Sequence, residues 1–401
     1  MKVVPVILCG GSGSRLWPGY KKYQAKQFID FGGWTLFDKT LERIKHPIFD
    51  FPIISTNSEY VSTVKKHLKK NRISKYKIVV EPQKKNTAAA ILSSSLLSEI
   101  NIYQPIIFFS SDHYISNFDK MINVIKLNDK YLDNENICVF GIKPKKPSSL
   151  YGYIVSKDHS TISKVIKFVE KPSLMNSKKI IKRGGYINAG IFFAKKISII
   201  KNFKQNNKKI LTLCLKSYVD ARIKDKIIYL NKKYYAKLDS ISFDYAIIEK
   251  CKNLLSLNIN LNWNDLGSWS EIFHVLKKKK TKSFLSKNTF YRPWGKYVNI
   301  FKGKNFLLKE ISVNPKASLS LQKHLHRSEV WKVFKGNPLI TINSKKITAN
   351  PEQQILIPLK AKHRIENKTK NKVTIIEAQL GSILKETDII RYQDVYGRVN
   401  K

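Results

Sequence analysis

Short apolar runs alternate with segments of helical length in the first part of the chain. The apolar runs predict strands at residues 3–8, 52–55, 77–80, 106–109 and 137–140. The segments between them include predicted helices at residues 36–44 and 88–100. Strands that alternate with helices favour a mostly parallel sheet covered on both faces. Asn86 and Thr87 precede the second helix, where either is suited to cap it. The pattern therefore predicts an α/β domain.

The pattern changes after residue 276. Residues 277–289 are polar and are predicted to form a linker. Beyond them the apolar runs are short, are broken by Gly, Pro and Asn, and predict strands at residues 297–301, 306–313, 330–334, 339–342, 354–357 and 373–378. Several short strands at this spacing are typical of a small all-β barrel or sandwich. We therefore expect two domains, residues 1–276 and residues 290–401.

Cysteine usage and hydropathy exclude several classes of protein. The run at residues 3–8 is too short for the core of a signal peptide, and no apolar run is long enough to span a membrane. No two of the four cysteines form a close pair, which argues against a zinc motif or a disulfide framework. We expect a cytoplasmic protein without a membrane partner, with reduced thiols at Cys9, Cys138, Cys214 and Cys251.

The net charge changes this picture only slightly. Lys and Arg number 74 against 29 Asp and Glu, which gives a formal net charge of +45. A strongly basic chain raises the hypothesis of nucleic-acid binding. Here the lysines are scattered along the chain instead of forming a patch, so we expect no nucleic-acid partner. A positive field would still attract phosphorylated substrates.

A glycine-rich loop follows the first predicted strand directly. Glycines at this place let backbone N–H groups approach a phosphate, and Arg15 and Lys26 add cations that can bind its oxygens. The loop matches neither a Walker A sequence nor a strict GxGxxG fingerprint. The candidate phosphate-binding residues of the loop are Gly10, Gly11, Ser12, Gly13 and Ser14.

Two aspartates supply candidate metal ligands. Asp112 follows a predicted strand at its carboxyl end, which is where open α/β sheets bind ligands. Asp265 lies in a turn-like segment much later in the chain. Two carboxylates can hold one Mg²⁺ while phosphate oxygens and water fill its other positions. Such an ion would neutralise charge during phosphoryl chemistry.

The first domain resembles the mannose-1-phosphate guanylyltransferases, or GDP-mannose pyrophosphorylases. The resemblance rests on ordered motifs at residues 5–18, 26–28, 81–88, 111–113, 141–144, 151–154, 168–172, 188–192, 242–246 and 263–269. It implies a Rossmann-like nucleotidyltransferase fold that makes GDP-mannose and diphosphate from GTP and mannose 1-phosphate.

The resemblance also implies roles for individual residues. Residues 10–14 would hold the triphosphate, Arg15 and Lys26 would stabilise the leaving diphosphate, and Asn86 and Thr87 would lie near the nucleotide. Asp112 and Asp265 would bind Mg²⁺. The residues implied to contact mannose 1-phosphate are Gly152, Glu170, Lys171 and Asn188.

Three histidines in the second domain form a candidate metal site. His324 and His326 are two residues apart, which on a strand places both on one face. With His363 they would suit a divalent transition metal inside a barrel. A lone His-x-His pair is also common for structural reasons, so this alternative stays open.

The second domain resembles the cupin domain of bifunctional type-II mannose-6-phosphate isomerase/guanylyltransferases. The matches include residues 292–295, 319–331, 357–367 and 388–398. Val330 stands where the family has a histidine ligand, and we expect Glu329 to point away from the barrel because neighbouring residues on a strand alternate. An alternative to a single activity is therefore a bifunctional enzyme that also interconverts mannose 6-phosphate and fructose 6-phosphate. A homo-oligomer is one of the assembly states that the sequence leaves open.

Overall fold

The computed structural model describes residues 2–18, 24–128 and 131–398, without the side chains of Arg15 and Asn128. Its contacts divide the chain into two compact units. The first unit comprises Met1–Gly11 and Leu36–Asp265, and the second comprises Ser12–Thr35 and Leu266–Lys401. Within the described ranges, no helix combines the length and the apolar character that a membrane crossing needs.

The first unit contains strands and helices in alternation. Its strands are β1 (Val4–Cys9), β2 (Ile53–Asn57), β3 (Lys77–Glu81), β4 (Pro105–Ser110), β5 (Tyr114–Ile115), β6 (Ile137–Ile142), β7 (Tyr153–Ser156), β8 (Ile162–Val169), β9 (Tyr186–Lys195), β10 (Arg222–Lys224), β11 (Ile227–Tyr229), β12 (Leu254–Ile259) and β13 (Trp263–Asn264). Its α-helices are α1 (Leu36–Arg43), α2 (Val61–Lys70), α3 (Asn86–Ser95), α4 (Asp119–Asn128), α5 (Leu174–Lys182), α6 (Lys196–Asn206), α7 (Lys208–Val219), α8 (Lys232–Tyr235) and α9 (Phe243–Ala246).

Eleven of these strands form one sheet in the order β10-β11-β3-β2-β1-β4-β9-β6-β12-β8-β7. Strands β11, β3, β2, β1 and β4 run parallel, as the alternating pattern predicts. β9 lies antiparallel between β4 and β6, so the sheet is mixed. Every residue of β1 other than Leu8 is buried, as expected for an interior strand with both faces covered. The prediction of an α/β domain is confirmed.

Helix α3 packs against this sheet through small residues. Ala88, Ala89 and Ala90 are all buried and let the helix approach the strands closely. The predicted side-chain cap of this helix is wrong. Asn86 has a left-handed φ of 64° and its Oδ1 accepts from the Thr87 N–H, while the Thr87 hydroxyl accepts from Phe243 N–H. The two side chains are therefore used by the turn and by a neighbouring segment.

The second unit is built mainly from two β-sheets. Its strands are β14 (Thr289–Arg292), β15 (Gly295–Lys302), β16 (Phe306–Val313), β17 (Leu321–His324), β18 (Arg327–Lys335), β19 (Leu339–Ile342), β20 (Lys345–Thr348), β21 (Gln354–Ile357), β22 (His363–Glu366), β23 (Val373–Gly381) and β24 (Ile389–Gln393). The sheet orders are β14-β15-β16-β23-β18-β21 and β20-β19-β22-β17-β24. The prediction of a small all-β domain is confirmed. Residues 277–289, predicted as a linker, contain the last two residues of α10 (Trp269–Lys278) and all of α11 (Lys282–Lys287).

The segment at residues 12–35 belongs to the second unit because its large apolar side chains are buried there. Trp17 lies edge-on against Trp269, with ring centroids 5.3 Å apart. The Trp269 indole N–H donates to the Leu16 carbonyl, and Phe31 contacts Phe306. This packing fixes the short 3₁₀ helices Ser14–Leu16 and Lys26–Phe28 in place.

Candidate active site

The glycine loop begins in the first unit, at the carboxyl end of β1. The Thr56 hydroxyl donates to the Cys9 carbonyl at 2.9 Å, and Asn57 Nδ2 donates to the Gly10 carbonyl at 3.0 Å. Both donors come from the end of β2, the parallel neighbour of β1. A Cβ atom on Gly11 would meet nothing within 4 Å. The start of the loop is therefore fixed by hydrogen bonds to the carbonyls of Cys9 and Gly10, and there is room beside Gly11.

The loop continues into the second unit, where Gly13 lies against Lys26. Gly13 has a left-handed φ of 67°, and a Cβ there would lie 2.7 Å from both the backbone nitrogen and the Cβ of Lys26. Only glycine fits this approach. Ser14 begins the 3₁₀ helix after it, and Lys26 is 5 % exposed. The Arg15 side chain and its predicted role lie outside the described residues.

The predicted metal ligands Asp112 and Asp265 lie at the same end of a two-stranded ladder. Asp112 lies two residues before β5, and Asp265 follows β13 directly. The strands are antiparallel, with Asn264 opposite Tyr114. In an antiparallel pair the start of one strand lies beside the end of the other. The fold therefore brings the two carboxylates to one edge of the first unit.

Aromatic side chains frame both aspartates. The Tyr151 hydroxyl donates to Asp265 Oδ1 at 2.8 Å. The Trp263 indole N–H donates to His113 Nδ1 at 3.2 Å. Because Nδ1 accepts, the neutral imidazole carries its proton on Nε2, which lies 4.0 Å from Asp112 Oδ1. Trp263 contacts the rings of both Tyr151 and His113, so one indole positions the partners of both acids.

Three of the predicted sugar-phosphate residues form one cluster. Lys171 Nζ lies 2.5 Å from Glu170 Oε1. A Cβ on Gly152 would lie 2.5 Å from Glu170 Oε2 and 2.8 Å from the Phe168 ring, so glycine leaves room for this carboxylate. Burial lowers the pKa of Lys171, but the adjacent Glu170 outweighs burial and raises that pKa above its ordinary value. Lys171 therefore stays protonated, as one half of an ion pair with Glu170.

Asn188 joins this cluster through Asp244. The Asn188 backbone N–H donates to the Gly152 carbonyl at 2.9 Å, and its Nδ2 donates to Asp244 Oδ1 at 2.8 Å. Burial, and then the nearby Glu170, raise the pKa of Asp244 to about 7. Asp244 belongs to the sequence motif at residues 242–246, but that motif did not predict its hydrogen bond with Asn188.

A second buried acid, Glu81, lies at the end of β3 beside the glycine loop. Its Oε1 would be 3.7 Å from a Cβ on Gly10. The hydroxyls of Ser55 and Tyr235 donate to its two oxygens at 2.8 and 2.6 Å. Burial raises the pKa of Glu81 to about 7 although these hydrogen bonds favour the charged form. The predicted nucleotide-binding pair 86–87 follows β3 in the chain, at the start of α3.

The second unit contains a separate cluster of His324, Glu329 and His363. Their ligand atoms all lie within 4.8 Å of one another, and all three side chains are buried. Glu329 Oε1 lies 3.1 Å from His324 Nε2, and its Oε2 lies 3.7 Å from His363 Nε2. Each Nδ1 faces a backbone carbonyl, of Asp388 and Ala361 respectively. These contacts suit the tautomer that a metal-bound histidine needs, with the proton on Nδ1 and the lone pair of Nε2 directed at the ion.

This cluster fits a divalent transition metal. Two imidazole nitrogens and one carboxylate are a common donor set for such ions. His363 Nε2 is buried without a hydrogen-bond partner in the described part of the chain. Burial, with help from His324 and Arg327, lowers the pKa of His363 to about 4, so its imidazole is neutral. Burial alone would raise the pKa of Glu329, but His324 holds it well below its ordinary value.

The expectation for Glu329 is therefore wrong, and the structure brings together a different set from the three predicted histidines. Glu329 shares the inward face of β18 with Trp331, whose indole N–H donates to it at 3.0 Å. Val330, between them, faces the other way. His326 lies outside the cluster, with a half-exposed side chain and Nδ1 2.8 Å from Asp388 Oδ1. The sequence pattern predicted the inward and outward faces of β18 in reverse, because it placed Val330 at the position of an inward-facing ligand.

Comparison with known proteins gives a consistent result. A relative is the alginate biosynthesis protein AlgA of Pseudomonas fluorescens, 29% identical over 99% of this chain and 97% of its own. A mannose-1-phosphate guanylyltransferase of Klebsiella pneumoniae is 27% identical over 99% and 100%. A solved mannose-6-phosphate isomerase from Helicobacter pylori superposes with a TM-score of 0.58 and 26% identity, covering 66% of this chain and all of the other. The AlgA alignment spans 468 positions, so that relative contains residues without a counterpart among these 401.

A mixed α/β sheet with a glycine loop and paired acids at its strand ends defines an enzyme that transfers nucleotidyl groups. Residues 4–282 match the model of the nucleotidyl transferases, and the chain belongs to that family. Residues 279–394 match the mannose-6-phosphate isomerase C-terminal family. The predicted resemblance to both halves of the bifunctional enzymes is confirmed.

Proposed function

We propose that this enzyme is a mannose-1-phosphate guanylyltransferase, which converts GTP and α-D-mannose 1-phosphate to GDP-mannose and diphosphate. One observation carries the proposal. The Tyr151 hydroxyl binds Asp265, and the next residue, Gly152, makes room for Glu170. Because Tyr151 and Gly152 are consecutive, they connect the predicted metal ligand Asp265 to the predicted sugar-phosphate residue Glu170. The names of the relatives support the choice of mannose and guanine.

In this proposal Asp112 and Asp265 hold Mg²⁺, for which carboxylate oxygens are suitable ligands. The ion would supply charge neutralisation at the phosphates. Backbone N–H groups of residues 10–14 bind the triphosphate, and Asn86 and Thr87 lie near the nucleotide. Arg15 and Lys26 stabilise the negative charge of the departing diphosphate.

The sugar phosphate is bound by Gly152, Glu170, Lys171 and Asn188. Lys171, kept charged by Glu170, faces the phosphate, and Glu170 and Asn188 orient the sugar. The attacking phosphate oxygen is already a nucleophile, so the reaction needs no general base. The contribution of the chain is alignment for in-line attack on the α-phosphate and stabilisation of charge.

The test is diphosphate release by the purified full-length chain with Mg²⁺. We expect release with GTP and mannose 1-phosphate, and much slower release in a panel of the other nucleoside triphosphates and of glucose 1-phosphate. Asp112→Asn and Asp265→Asn should abolish most of the rate while thermal unfolding stays unchanged. No release from GTP and mannose 1-phosphate would refute the proposal.

We infer a second activity for the second unit, the interconversion of mannose 6-phosphate and fructose 6-phosphate. The observation that favours it is the buried cluster His324–Glu329–His363, which replaces the ligand set that Val330 interrupts. A bound transition metal would polarise the sugar carbonyl. Conversion of mannose 6-phosphate by the full-length chain, lost on chelation and restored by added metal, is the expected result. No conversion after loading with Zn²⁺, Mn²⁺ or Co²⁺ would contradict it.

We also propose that the enzyme acts in the cytoplasm. Its four cysteines are free thiols, and at least three of them are buried, which suits a reducing compartment. Whether the enzyme forms a homo-oligomer stays a prediction. Sedimentation of the purified chain would determine its assembly state.

A further inference from the structure

The short helix α9 contacts residues from both predicted substrate sites of the first unit. Its first residue, Phe243, donates its backbone N–H to the Thr87 hydroxyl at 2.8 Å. Its second residue, Asp244, accepts from Asn188 Nδ2 at 2.8 Å. Thr87 belongs to the predicted nucleotide-binding pair, whereas Asn188 belongs to the predicted sugar-phosphate cluster. Two consecutive residues of α9 therefore connect the two sites.

The Phe243 N–H is one of the donors that a helix leaves without a partner of its own. The first N–H groups of a helix have no acceptor within it. In α9 the Ser242 hydroxyl accepts from the Tyr245 N–H, and Phe243 uses the Thr87 hydroxyl. Phe243 is 1 % exposed, so loss of that acceptor would leave a largely buried donor unpaired, which is costly. The Thr87 hydroxyl therefore helps to fix the start of α9.

Strand β9 holds the other side of α9. The Phe243 ring packs edge-on against Phe192, with ring centroids 4.9 Å apart, and both rings are buried. Asn188, which binds Asp244, lies four residues before Phe192 on the same strand. A shift of α9 away from residue 87 would therefore also move Asp244 relative to Asn188.

The third residue of α9, Tyr245, lies beside the proposed phosphate ligand of the sugar. Lys171 Nζ is 5.6 Å from the centroid of the Tyr245 ring, within the roughly 6 Å over which a cation is attracted to an aromatic face. Glu170 binds the same ammonium group. The Glu170 N–H in turn donates to Glu249 Oε1 at 3.1 Å, three residues beyond the end of α9. The segment that α9 begins therefore helps to place Lys171.

We propose that Thr87 is a positioning residue for mannose 1-phosphate, which it orients through α9 without touching it. The inference rests on the guanylyltransferase activity proposed above. Thr87 lies near the nucleotide in that proposal, and its hydroxyl adds a second role on the side of the sugar. Removing the hydroxyl should weaken binding of the sugar phosphate much more than binding of the nucleotide. A role in nucleotide contact alone would have the opposite effect.

The test measures binding to the full-length chain with Mg²⁺ by calorimetry. The probes are GTP with a methylene group between its α- and β-phosphates, which cannot react, and mannose 1-phosphate with and without that analogue. Thr87→Val replaces the hydroxyl with a methyl group of similar size. We expect it to raise the Kd for mannose 1-phosphate by about tenfold and the Kd for the GTP analogue by less than about twofold.

Three further variants complete this test. Thr87→Ser keeps the acceptor and should bind mannose 1-phosphate as the wild type does. Thr212→Val removes an exposed hydroxyl from α7 of the same unit and is the matched control. Binding of mannose 1-phosphate that is lost in Lys171→Gln is assigned to the predicted sugar-phosphate cluster.

Thermal unfolding shows whether each variant is folded. Thr87→Ala, which leaves space for water beside the Phe243 N–H, replaces the valine variant if that variant is not folded. An unchanged Kd for mannose 1-phosphate, an equal rise in both Kd values, or no binding of mannose 1-phosphate by the wild type would overturn the positioning role.

Diphosphate release is measured separately from binding. Binding of mannose 1-phosphate that depends on Thr87, without diphosphate release, would refute the guanylyltransferase activity and leave the positioning role standing. Diphosphate release by Thr87→Val with an unchanged KM for mannose 1-phosphate would keep the activity and refute the positioning role.

Discussion

The Tyr151 hydroxyl donates a 2.8 Å hydrogen bond to Asp265 Oδ1, and Tyr151 directly precedes the glycine that accommodates Glu170. This contact orients a proposed Mg²⁺ ligand from the segment that we propose binds the sugar phosphate. Binding of Mg²⁺ and binding of the sugar phosphate should therefore depend on each other. A single hydroxyl group makes this connection, which makes it simple to remove.

Tyr151→Phe should slow diphosphate release and raise the Mg²⁺ concentration needed for half the maximal rate. A hydrogen bond to a charged group contributes about 1.5–3 kcal/mol, so a change of roughly tenfold or more is expected. The phenyl ring keeps the contact with Trp263, so stability should change little. Tyr103→Phe removes a hydroxyl from a half-exposed ring of the same unit and serves as the control. An unchanged Mg²⁺ dependence in Tyr151→Phe would show that the contact has no role in metal binding.

Gly13→Ala should raise the KM for GTP. A left-handed φ costs a non-glycine residue about 1–3 kcal/mol, and the new Cβ would also lie 2.7 Å from the Lys26 backbone nitrogen. Lys26 would have to move away from the diphosphate that we propose it binds. The measurement is steady-state kinetics at varied GTP together with thermal unfolding.

Gly33→Ala separates the effect of backbone strain from the effect of displacing Lys26. Gly33 has a φ of 89°, and a Cβ there would meet nothing within 4 Å. Both substitutions carry backbone strain, but only Gly13→Ala displaces Lys26. If the two variants raise the KM for GTP equally, the loop geometry at Lys26 does not determine nucleotide binding.

Asp244→Asn should change the pH dependence of stability. The folded-state pKa of Asp244 is raised to about 7, above the ordinary 3.8 of an unfolded aspartate. The folded chain therefore holds a proton that the unfolded chain releases, so this group costs stability as the pH rises from about 4 to 7. Below that window the cost is absent, and above it the cost, of a few kcal/mol at most, is complete.

The expected result is that Asp244→Asn unfolds at a higher temperature relative to the wild type at pH 7.5 than at pH 4. The amide keeps an oxygen that accepts from Asn188, so the hydrogen bond is retained. Difference measurements cancel the large general effect of pH on a basic chain. A difference in unfolding temperature that stays constant from pH 4 to pH 7.5 would contradict the raised pKa.

Local patterns predicted the strands well but not the neighbours of β9. Strands β16, β19 and β21 begin and end at the predicted residues, because alternation and turn residues are local signals. The antiparallel place of β9 between β4 and β6 depends on pairing between distant segments. The burial of residues 12–35 in the second unit has the same cause, since Trp17 packs on a tryptophan 252 positions later.

The candidate site, too, could be predicted only in part from local motifs. Motifs predicted Gly152, Glu170, Lys171 and Asn188, and the fold brings them together, although their roles remain predictions. Motifs did not reveal the acid that supports Asn188, because a lone aspartate in a short helix has no distinguishing spacing. The face of Glu329 was predicted in reverse, because a one-residue error in strand phase moves every side chain to the other face.

The metal-binding set of the second unit can be decided by single substitutions. The structure places Glu329 with His324 and His363, whereas His326 contacts Asp388 at 2.8 Å. His363→Ala and Glu329→Gln should each lower the transition-metal content of the full-length chain to near zero, because a three-ligand site loses a third of its donors. His326→Ala should keep its metal, and it is the matched control because it also removes one imidazole from the same segment. The measurement is elemental analysis after loading with Zn²⁺ and dialysis. If His326→Ala loses as much metal as His363→Ala, His326 is a ligand, as the sequence pattern predicts. If Glu329→Gln also retains its metal, Glu329 is not the third ligand.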